Sequence, residues 1–330
     1  MKLLIDTLGA DKGYEVIVKG TLNNMLKNEI EVVFIGEEEK IKKIVENTQV
    51  DKNRIGYINT SEYIENTEEP TLAIRRKKEA SIPLGLRNLN EDEFDGFLSC
   101  GSTGALLAGA TLITKRLPNI SRAALTVVIP TLKGASVLLD GGANMDCPPD
   151  MLRQFALMGS AYAKGVLEKN NPKVALLNVG TEEGKGDALR KETFKLLKEC
   201  PINFVGNMEA RDLLYGEQDV IVADGFSGNV ALKATEGAAM VILNSLKDGI
   251  LSSLKSKIGG LLIKDSLKNL KNTFDYKEYG AAPLLGVKKP VFKAHGSSDE
   301  RAIEAGINKM VKFIDNDVIS DIKKYFEEEN

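Results

Sequence analysis

The chain of 330 residues has one histidine, His295, and no tryptophan. One histidine excludes a metal site built from several imidazoles, and it leaves any serine or cysteine nucleophile a single imidazole base. Aromatic residues make up 6% of the chain and the net charge is −3, so neither base stacking nor a basic field indicates a nucleic-acid partner. We therefore expect no nucleic-acid ligand.

The chain also has few cysteines and no long apolar run. Cys100, Cys147 and Cys200 are widely separated and form no C-x-x-C pair, which indicates neither a disulfide framework nor a zinc site and is typical of a reducing compartment. The first apolar run ends at Asp6, too early for a signal peptide. No run approaches the roughly 18 apolar residues that span a membrane. The sequence predicts a cytoplasmic protein without a cofactor.

Short apolar runs alternate with helical patterns such as those at 150–170 and 187–199. Ten runs are strand-like, and they span residues 2–6, 32–36, 54–59, 96–100, 125–130, 135–140, 173–179, 202–206, 219–224 and 290–295. Several are β-branched and continuously apolar, which is typical of strands buried on both faces. The alternation predicts a mainly parallel sheet with helices on both faces. Because no linker or repeat interrupts it, we expect one domain over 1–330.

Glycine, hydroxyl or amide residues follow six of these strands, at the sheet edge where open α/β folds bind ligands. A single turn of this kind is usually structural, but six at one edge favour a site. Backbone N–H groups at helix starts bind small anions. The candidate phosphate-binding residues are Gly101, Ser102, Thr103, Gly104, Asn144, Thr181, Gly228, Ser297 and Ser298.

The glycine-rich segment 180–186 follows a strand and precedes a helix, but its spacing excludes a nucleotide P-loop. Three residues, not four, separate Gly180 from Gly184, and Gly186 stands where the magnesium-binding hydroxyl is needed. Lys185 adds a compact positive charge. The segment therefore predicts an anion site of another kind.

Two further features allow alternative interpretations. His295 ends a strand beside Ser297, where it could brace a loop or donate a hydrogen bond to phosphate or a developing oxyanion. Asp140, Asp146 and Asp224 could bind Mg²⁺, although loop caps and partners for lysines are the commoner roles, and we predict no metal.

Residues 236–270 show apolar residues every four positions with lysines between them. Gly259 and Gly260 predict a break that folds this stretch into a protruding helical hairpin. Such a hairpin can pack on the core or on a dimer partner, or it can rest on a membrane surface through its lysines.

Together, the strand-end motifs resemble the bacterial PlsX family, the acyl-ACP:phosphate acyltransferases. The motifs that carry the resemblance are LDGGAN (139–144), GNMEARD (206–212), DGFSGNV (224–230), AAPLLG (281–286) and AHGSS (294–298). The segments DTLGAD (6–11), ASI (80–82) and SCGSTGA (99–105) depart from the family pattern. These departures bear on rate or acyl preference more than on the reaction.

The resemblance implies a fold and a reaction. The fold is a three-layer α/β/α sandwich similar to phosphotransacetylase and to isocitrate/isopropylmalate dehydrogenases, usually as a homodimer. The reaction converts fatty acyl-ACP and inorganic phosphate to acyl phosphate and free ACP, and it feeds phospholipid synthesis. Because phosphate is already a nucleophile, the protein needs only to orient it and to stabilise the oxyanion.

The resemblance also suggests roles for individual residues. Lys185, Asn229 and the glycine loops would orient phosphate and the carbonyl group, and Asn207 and His295 would donate to the oxyanion or to phosphate. Asp224 would orient Lys185 or Asn229. The candidate contacts for the acidic carrier protein or for a membrane are Arg75, Arg76, Lys247, Leu254, Lys255, Lys257 and Ile258.

Two alternatives remain open at this point. One is a short-chain phosphotransacetylase that uses acyl-CoA. The other is a non-catalytic, membrane-associated scaffold that recruits lipid enzymes through the hairpin.

Overall fold

The computed structural model describes residues 1–267 and 280–327. The strands are β1 (Lys2–Asp6), β2 (Glu31–Gly36), β3 (Ile55–Asn59), β4 (Gly96–Ser99), β5 (Ala124–Leu125), β6 (Val127–Thr131), β7 (Gly134–Leu139), β8 (Lys173–Asn178), β9 (Asn203–Glu209), β10 (Val220–Val222), β11 (Ala281–Leu285) and β12 (Val291–Ala294). The helices are α1 (Tyr14–Met25), α2 (Glu38–Val45), α3 (Pro70–Arg76), α4 (Ser81–Leu89), α5 (Thr103–Gly109), α6 (Pro149–Gly165), α7 (Ala188–Glu199), α8 (Gly225–Leu251), α9 (Leu254–Leu262), α10 (Glu300–Asp315) and α11 (Val318–Glu327).

The strands form two mainly parallel sheets. The first sheet has the order β3-β2-β1-β4-β12-β11-β5, and the second has the order β6-β7-β10-β8-β9. Within residues 1–267 and 280–327, only the strand pairs β11–β12, β5–β11 and β6–β7 are antiparallel. The α/β class is confirmed, but the single sheet that the sequence predicted is wrong. The chain passes from one sheet to the other between β5 and β6, which only Thr126 separates.

Nine of the ten predicted strands are present with ends shifted by a few residues, and the predicted strand 125–130 is divided between β5 and β6, which belong to different sheets. The sequence analysis missed β11, because Pro283 in its centre cannot donate a ladder hydrogen bond and argues against a strand. β11 accommodates the proline through antiparallel pairing, in which Pro283 lies opposite Phe292 of β12.

A single hydrophobic cluster includes residues of both sheets. Leu98 and Phe292 of the first sheet belong to the same cluster as Leu139 and Leu176 of the second, together with Phe155 of α6. Burial of each such side chain stabilises the fold by about 1.5–3 kcal/mol. A shared core of this kind favours the predicted single domain over 1–330, which stays a prediction.

The hairpin region differs from its prediction. α8 continues to Leu251, and the chain turns at Ser252 and Ser253, whose side chain accepts a hydrogen bond from the backbone N–H of Ser256 at 3.1 Å. Gly259 and Gly260 lie inside α9. The break predicted at these glycines is therefore wrong, because a serine cap starts a helix more strongly than a glycine inside it ends one. Positions 268–270 lie outside the described residues.

Beyond its first turns, α8 exposes apolar side chains, and α9 does so along its whole length. The most exposed are Met240, Val241, Ile242, Leu254, Ile258, Leu261 and Leu262. None of the helices in residues 1–267 and 280–327 has both the length and the apolar content that crossing a bilayer requires.

Candidate active site

The carboxylate of Asp140, which directly follows β7, organises the loop of residues 140–144, here called the Asp140 loop. It accepts hydrogen bonds from the backbone N–H groups of Leu125 at 3.1 Å, Gly142 at 3.3 Å and Ala143 at 3.1 Å. Burial raises the pKa of Asp140, and these hydrogen bonds oppose the rise. Several N–H groups of this glycine loop are therefore already bound to a carboxylate of the same chain.

Asn144 closes the Asp140 loop. Its side-chain amide donates to Asp140 and to the carbonyl oxygen of Ala123, both at 2.9 Å. The fold thus uses both hydrogens of this side-chain N–H₂ group, and the phosphate-binding role of Asn144 stays a prediction. Asn144 joins the Asp140 loop to the crossover between the sheets.

The first turn of α8 packs tightly against the Asp140 loop. The backbone N–H of Gly225 donates to the carbonyl oxygen of Asn144 at 2.7 Å. A Cβ atom at Gly228 would stand 2.2 Å from the carbonyl oxygen of Asp140, so only glycine fits there. This contact brings the partly exposed Asn229 against Gly142, where a Cβ would lie 3.3 Å from the Asn229 amide carbon. The structure therefore places the predicted Gly228 and Asn229 side by side at the sheet edge.

Arg190 holds α7 and α8 together. It donates to Asp187 at 2.9 Å and to the Ser227 hydroxyl at 2.7 Å, and it pairs with Asp224. Asp224 also caps α8 by accepting from the backbone N–H of Ser227 at 2.9 Å. We call Asp187, Arg190, Asp224 and Ser227 the Arg190 cluster. The Asp224 carboxylate contacts Arg190 and the backbone N–H of Ser227, and its role in orienting Lys185 or Asn229 stays a prediction.

A cavity of about 650 Å³ opens beside the Arg190 cluster. Met145, Cys147 and Phe226 also line it. The sequence analysis missed Arg190. Asp187 could have indicated this arginine in the sequence, because an aspartate three residues before it is a typical helix cap. In the structure, the Asp187 carboxylate accepts a hydrogen bond from the backbone N–H of Arg190 at 2.9 Å.

The loop of residues 178–187, here called the Lys185 loop, is held from below by two asparagines. The Asn178 side chain donates to the carbonyl oxygen of Lys185 at 3.2 Å, and the Asn207 side chain donates to that of Glu182 at 2.9 Å. Thr181 and Lys185 are exposed on this loop, and the Lys185 ammonium lies 4.0 Å from the Glu182 carboxylate. One N–H of Asn207, predicted to donate to substrate, thus positions the Lys185 loop.

On the first sheet, Ser102 caps α5. Its hydroxyl accepts from the backbone N–H of Ala105 at 3.4 Å, and Gly101 donates to the Ser99 hydroxyl at 3.0 Å. The predicted Thr103 and Gly104 lie partly exposed in the first turn of α5. Ser102 also borders a cavity of about 430 Å³ that Asp11 and Tyr63 line.

The His295 ring is oriented by its own loop, residues 294–298, here called the His295 loop. Its Nδ1 atom accepts from the backbone N–H of Ser297 at 3.1 Å and lies 2.8 Å from the Ser297 hydroxyl. Ser298 is buried, and its backbone N–H donates to the His295 carbonyl oxygen at 3.0 Å. Both serines, predicted as phosphate ligands, shape this loop. With Nδ1 as an acceptor, the neutral ring carries its proton on Nε2.

The pKa of His295 is lowered, first by burial and then by the positive charges of Lys293 and Lys233. Asp11 and Glu236 oppose these effects. His295 is therefore neutral at pH 7, with an N–H donor at Nε2. Since Lys233 and Glu236 belong to α8, His295 of the first sheet lies within electrostatic range of the helix that carries Asn229.

The remaining predicted residues lie elsewhere. Arg75 and Arg76 are exposed in the last turn of α3, and Lys247, Lys255 and Lys257 are exposed on α8 and α9. In the described part of the chain, no three His, Cys, Asp or Glu side chains come together as metal ligands would.

Comparisons with known proteins give the family. The profile of the fatty acid synthesis protein family matches residues 1–321. A phosphate acyltransferase of Finegoldia magna is 50% identical over 98% of both chains. Another, from Clostridioides difficile, is 42% identical over 100% of this chain and 97% of its own.

Solved structures confirm the fold class. A phosphotransacetylase from Streptococcus pyogenes superposes with a TM-score of 0.64 at 17% identity, covering 97% of this chain and 94% of its own. A Salmonella typhimurium protein described as 4-hydroxythreonine-4-phosphate dehydrogenase gives a TM-score of 0.54 at 13% identity, covering 94% and 99%. At such identities the likeness concerns the fold alone. The sequence relatives decide the family: the chain belongs to the fatty acid synthesis proteins, the PlsX family of phosphate acyltransferases that its strand-end motifs resemble.

Proposed function

We propose that the chain transfers a fatty acyl group from the thioester of acyl carrier protein to inorganic phosphate. An oxygen of hydrogenphosphate attacks the thioester carbonyl carbon, the carbon–sulfur bond breaks, and the phosphate proton passes to the departing sulfur. The products are acyl phosphate and the free carrier thiol, and acyl phosphate then serves phospholipid synthesis. The identity to phosphate acyltransferases over nearly the whole chain supports this reaction.

The observation that carries the proposal is the geometry of His295. The hydrogen bond from Ser297 to Nδ1 leaves a neutral N–H at Nε2, in a ring within electrostatic range of charged residues of α8. A neutral donor of fixed orientation stabilises the oxyanion that forms when phosphate adds to the carbonyl group. Because the ring is neutral, it does not form an ion pair with phosphate that would hold the nucleophile away from the carbon.

The second sheet supplies the groups for phosphate. Asn229 is partly exposed beside Gly142, and the ammonium of Lys185 is exposed on its loop. A compact ammonium on a long stem suits an anion that must approach and leave. Lys185, Asn229 and Thr181 therefore orient phosphate, while the Asp140 loop and the Arg190 cluster hold the elements that carry them.

The experiment follows the free thiol released from palmitoyl-ACP with and without phosphate, in the wild type and in Lys185→Ala and Asn229→Ala. We expect phosphate-dependent release that both variants lose. Lys195→Ala, an exposed lysine of α7, is the matched control and should keep the wild-type rate. Release from acetyl-CoA but not from any acyl-ACP would favour the phosphotransacetylase. No release from either would favour the scaffold.

The proposal includes a homodimer and a carrier contact. The exposed apolar side chains of α9, Leu254 and Ile258 among them, form a surface that a second copy of the chain can cover, and the acidic carrier protein meets Arg75 and Arg76. A Leu254→Asp/Ile258→Asp variant should become monomeric in light scattering and keep its KM for palmitoyl-ACP. If the variant stays dimeric but no longer binds anionic vesicles in a flotation assay, the apolar surface of α9 contacts a membrane. If only its KM for palmitoyl-ACP rises, α9 contacts the carrier.

A further inference from the structure

Three polar side chains occupy one row across the first sheet. Asp6 of β1 lies opposite Ser99 of β4, and Ser99 lies opposite Lys293 of β12. The Ser99 hydroxyl donates to the Asp6 carboxylate at 2.6 Å. Asp6 and Ser99 are fully buried. A carboxylate, a hydroxyl and an ammonium therefore stand side by side at the carboxyl ends of three neighbouring parallel strands, directly below the loops of the candidate site.

Lys293 connects two of these loops. Its ammonium donates to the carbonyl oxygen of Cys100 at 3.1 Å and to the carbonyl oxygen of Ala294. Cys100 belongs to the segment 99–104 that leads into α5, here called the Gly101 loop, and Ala294 begins the His295 loop. Burial of a charged ammonium is costly unless hydrogen bonds and opposite charges compensate it. The negative charges of Asp6 and Asp11 provide that compensation.

Asp11 fixes the His295 loop from its other side. Its backbone N–H donates to the carbonyl oxygen of Gly296 at 2.9 Å. A Cβ atom at Gly296 would stand 2.8 Å from the Asp11 carboxylate, so the contact leaves no room for a side chain. The His295 loop is thus held at Ala294 by the Lys293 ammonium and at Gly296 by the backbone N–H of Asp11.

We infer that Lys293 is a positioning residue for the acyl transfer: its partly buried ammonium fastens the Gly101 loop to the His295 loop and so fixes the direction in which the His295 imidazole points. The inference rests on the proposed function for the role of His295. Two of the three ammonium donors of Lys293 are bound to backbone carbonyl oxygens of these loops, so the lysine acts on the loops rather than on substrate.

The charge of Lys293 has a second consequence. The charged groups that act on His295 are Lys293, Lys233, Asp11 and Glu236, and Lys293 comes first among the charges that lower its pKa. Burial lowers the pKa of Lys293, while Cys100, Asp6 and Asp11 raise it. Removing the ammonium should therefore raise the pKa of His295, because its protonated form would lose a repulsive neighbour.

The test uses the fact that His295 is the only histidine of the chain, so one imidazole signal in a nuclear magnetic resonance titration reports it directly. Lys293→Met removes both the contacts and the charge, and Lys293→Gln keeps an N–H donor without the charge. Lys233→Met is the matched control, because it removes a charge that acts on His295 and leaves both loops joined.

We expect Lys293→Met to raise the pKa of His295, to disturb its Nε2–H tautomer, and to lower kcat by about 100-fold, as a small misplacement of a reacting group does. The KM for phosphate should change less than about threefold. Lys293→Gln should recover part of kcat but not the pKa. Lys233→Met should raise the pKa and leave kcat within about threefold of the wild type.

Two results would overturn the inference. One is an unchanged His295 titration and kcat in a folded Lys293→Met protein. The other is failure of both Lys293 variants to fold, which would make the lysine a requirement of the fold itself. An inactive wild type would refute the proposed function alone, because the histidine titration still shows whether Lys293 positions the ring.

Discussion

The two sheets hold their strand-end loops in opposite ways. In the first sheet, the partly buried ammonium of Lys293 donates to backbone carbonyl oxygens. In the second sheet, the buried carboxylates of Asp140 and Asp224 accept backbone N–H groups. The first arrangement presents a neutral donor, His295, and the second presents Asn229 and the Lys185 loop. The difference shows that the described polar groups beneath the candidate site are mostly bound to the chain itself, and we propose that substrate binds the few that remain.

This division of roles suits the chemistry of the proposed reaction. An oxyanion develops on one side of the thioester carbon while phosphate approaches from the other. A neutral donor on one sheet can stabilise the oxyanion, and a cation with an amide on the other sheet can bind phosphate. Neither group then holds phosphate away from the thioester carbon. The following predictions test whether the two sheets differ in this way.

The largest effect should come from Asp140→Ala. The change leaves several buried N–H groups of the Asp140 loop without an acceptor, at about 1–3 kcal/mol for each unsatisfied donor. We expect the free energy of unfolding, measured in urea, to fall by about 3–5 kcal/mol. Asp146→Ala, at an exposed position of the same segment, should change it by less than about 0.5 kcal/mol. Equal losses in both variants would contradict the role of Asp140.

His295→Gln should lower kcat by about 100- to 1,000-fold, as the loss of an oxyanion donor does, with little change in melting temperature because the residue is only partly shielded from solvent. Ser297→Ala keeps the backbone donor to Nδ1, so its kcat should fall far less. In the wild type, the acid limb of kcat should lie at a lower pH than an unperturbed imidazole would give, because the lowered pKa keeps the ring neutral further into the acid range. An acid limb above pH 7 would show that His295 is not the group concerned.

Arg190→Met should destabilise the fold by about 2 kcal/mol, because it leaves the Asp224 carboxylate half-paired in a buried place. The double variant Arg190→Met/Asp224→Leu should recover much of this loss in a thermal melt. If the double variant is no more stable than Arg190→Met, the pair does not hold α7 to α8 through its charges.

The smallest effect should come from Ser102→Ala. Loss of an N-cap typically costs about 1 kcal/mol, and the 3.4 Å contact to Ala105 argues for the lower half of the usual range. Thr103→Ala, one position later, should leave the free energy of unfolding nearly unchanged. A rise in the KM for phosphate in Ser102→Ala, without loss of stability, would instead assign the hydroxyl to substrate.

Most of the fold follows from the sequence, because period and composition reveal buried strands. The β11 strand could not be predicted in this way, since Pro283 in its centre argues against a strand. The number of sheets could not be predicted, because nothing in the periodicity of β5 and β6 says that they pair with different neighbours. The serine cap at Ser253 was likewise overlooked in favour of the more conspicuous glycines at 259 and 260.

The site was harder to predict than the fold, for a physical reason. The strand-end motifs lead to the right loops, but a hydrogen-bond partner depends on tertiary contacts. Arg190 meets Asp224 and Ser227 across 34 and 37 residues. Lys293 lies inside an apolar strand, and nothing in the sequence pattern indicates that its ammonium joins two loops. Asn144 and Asn207 look like substrate ligands in the sequence, yet their amide groups are bound to backbone carbonyl oxygens.

The most direct test of the account follows the phosphate itself. Wild-type protein, His295→Gln and Asn229→Ala are each incubated with palmitoyl-ACP and ³²P-labelled phosphate, and the label that enters an organic-extractable, hydroxylamine-sensitive acyl phosphate is counted. The account predicts label in this product with the wild type, in a one-to-one ratio with free carrier thiol, and a loss of at least about 100-fold in each variant. Thiol release without labelled product, or variants as active as the wild type, would contradict it.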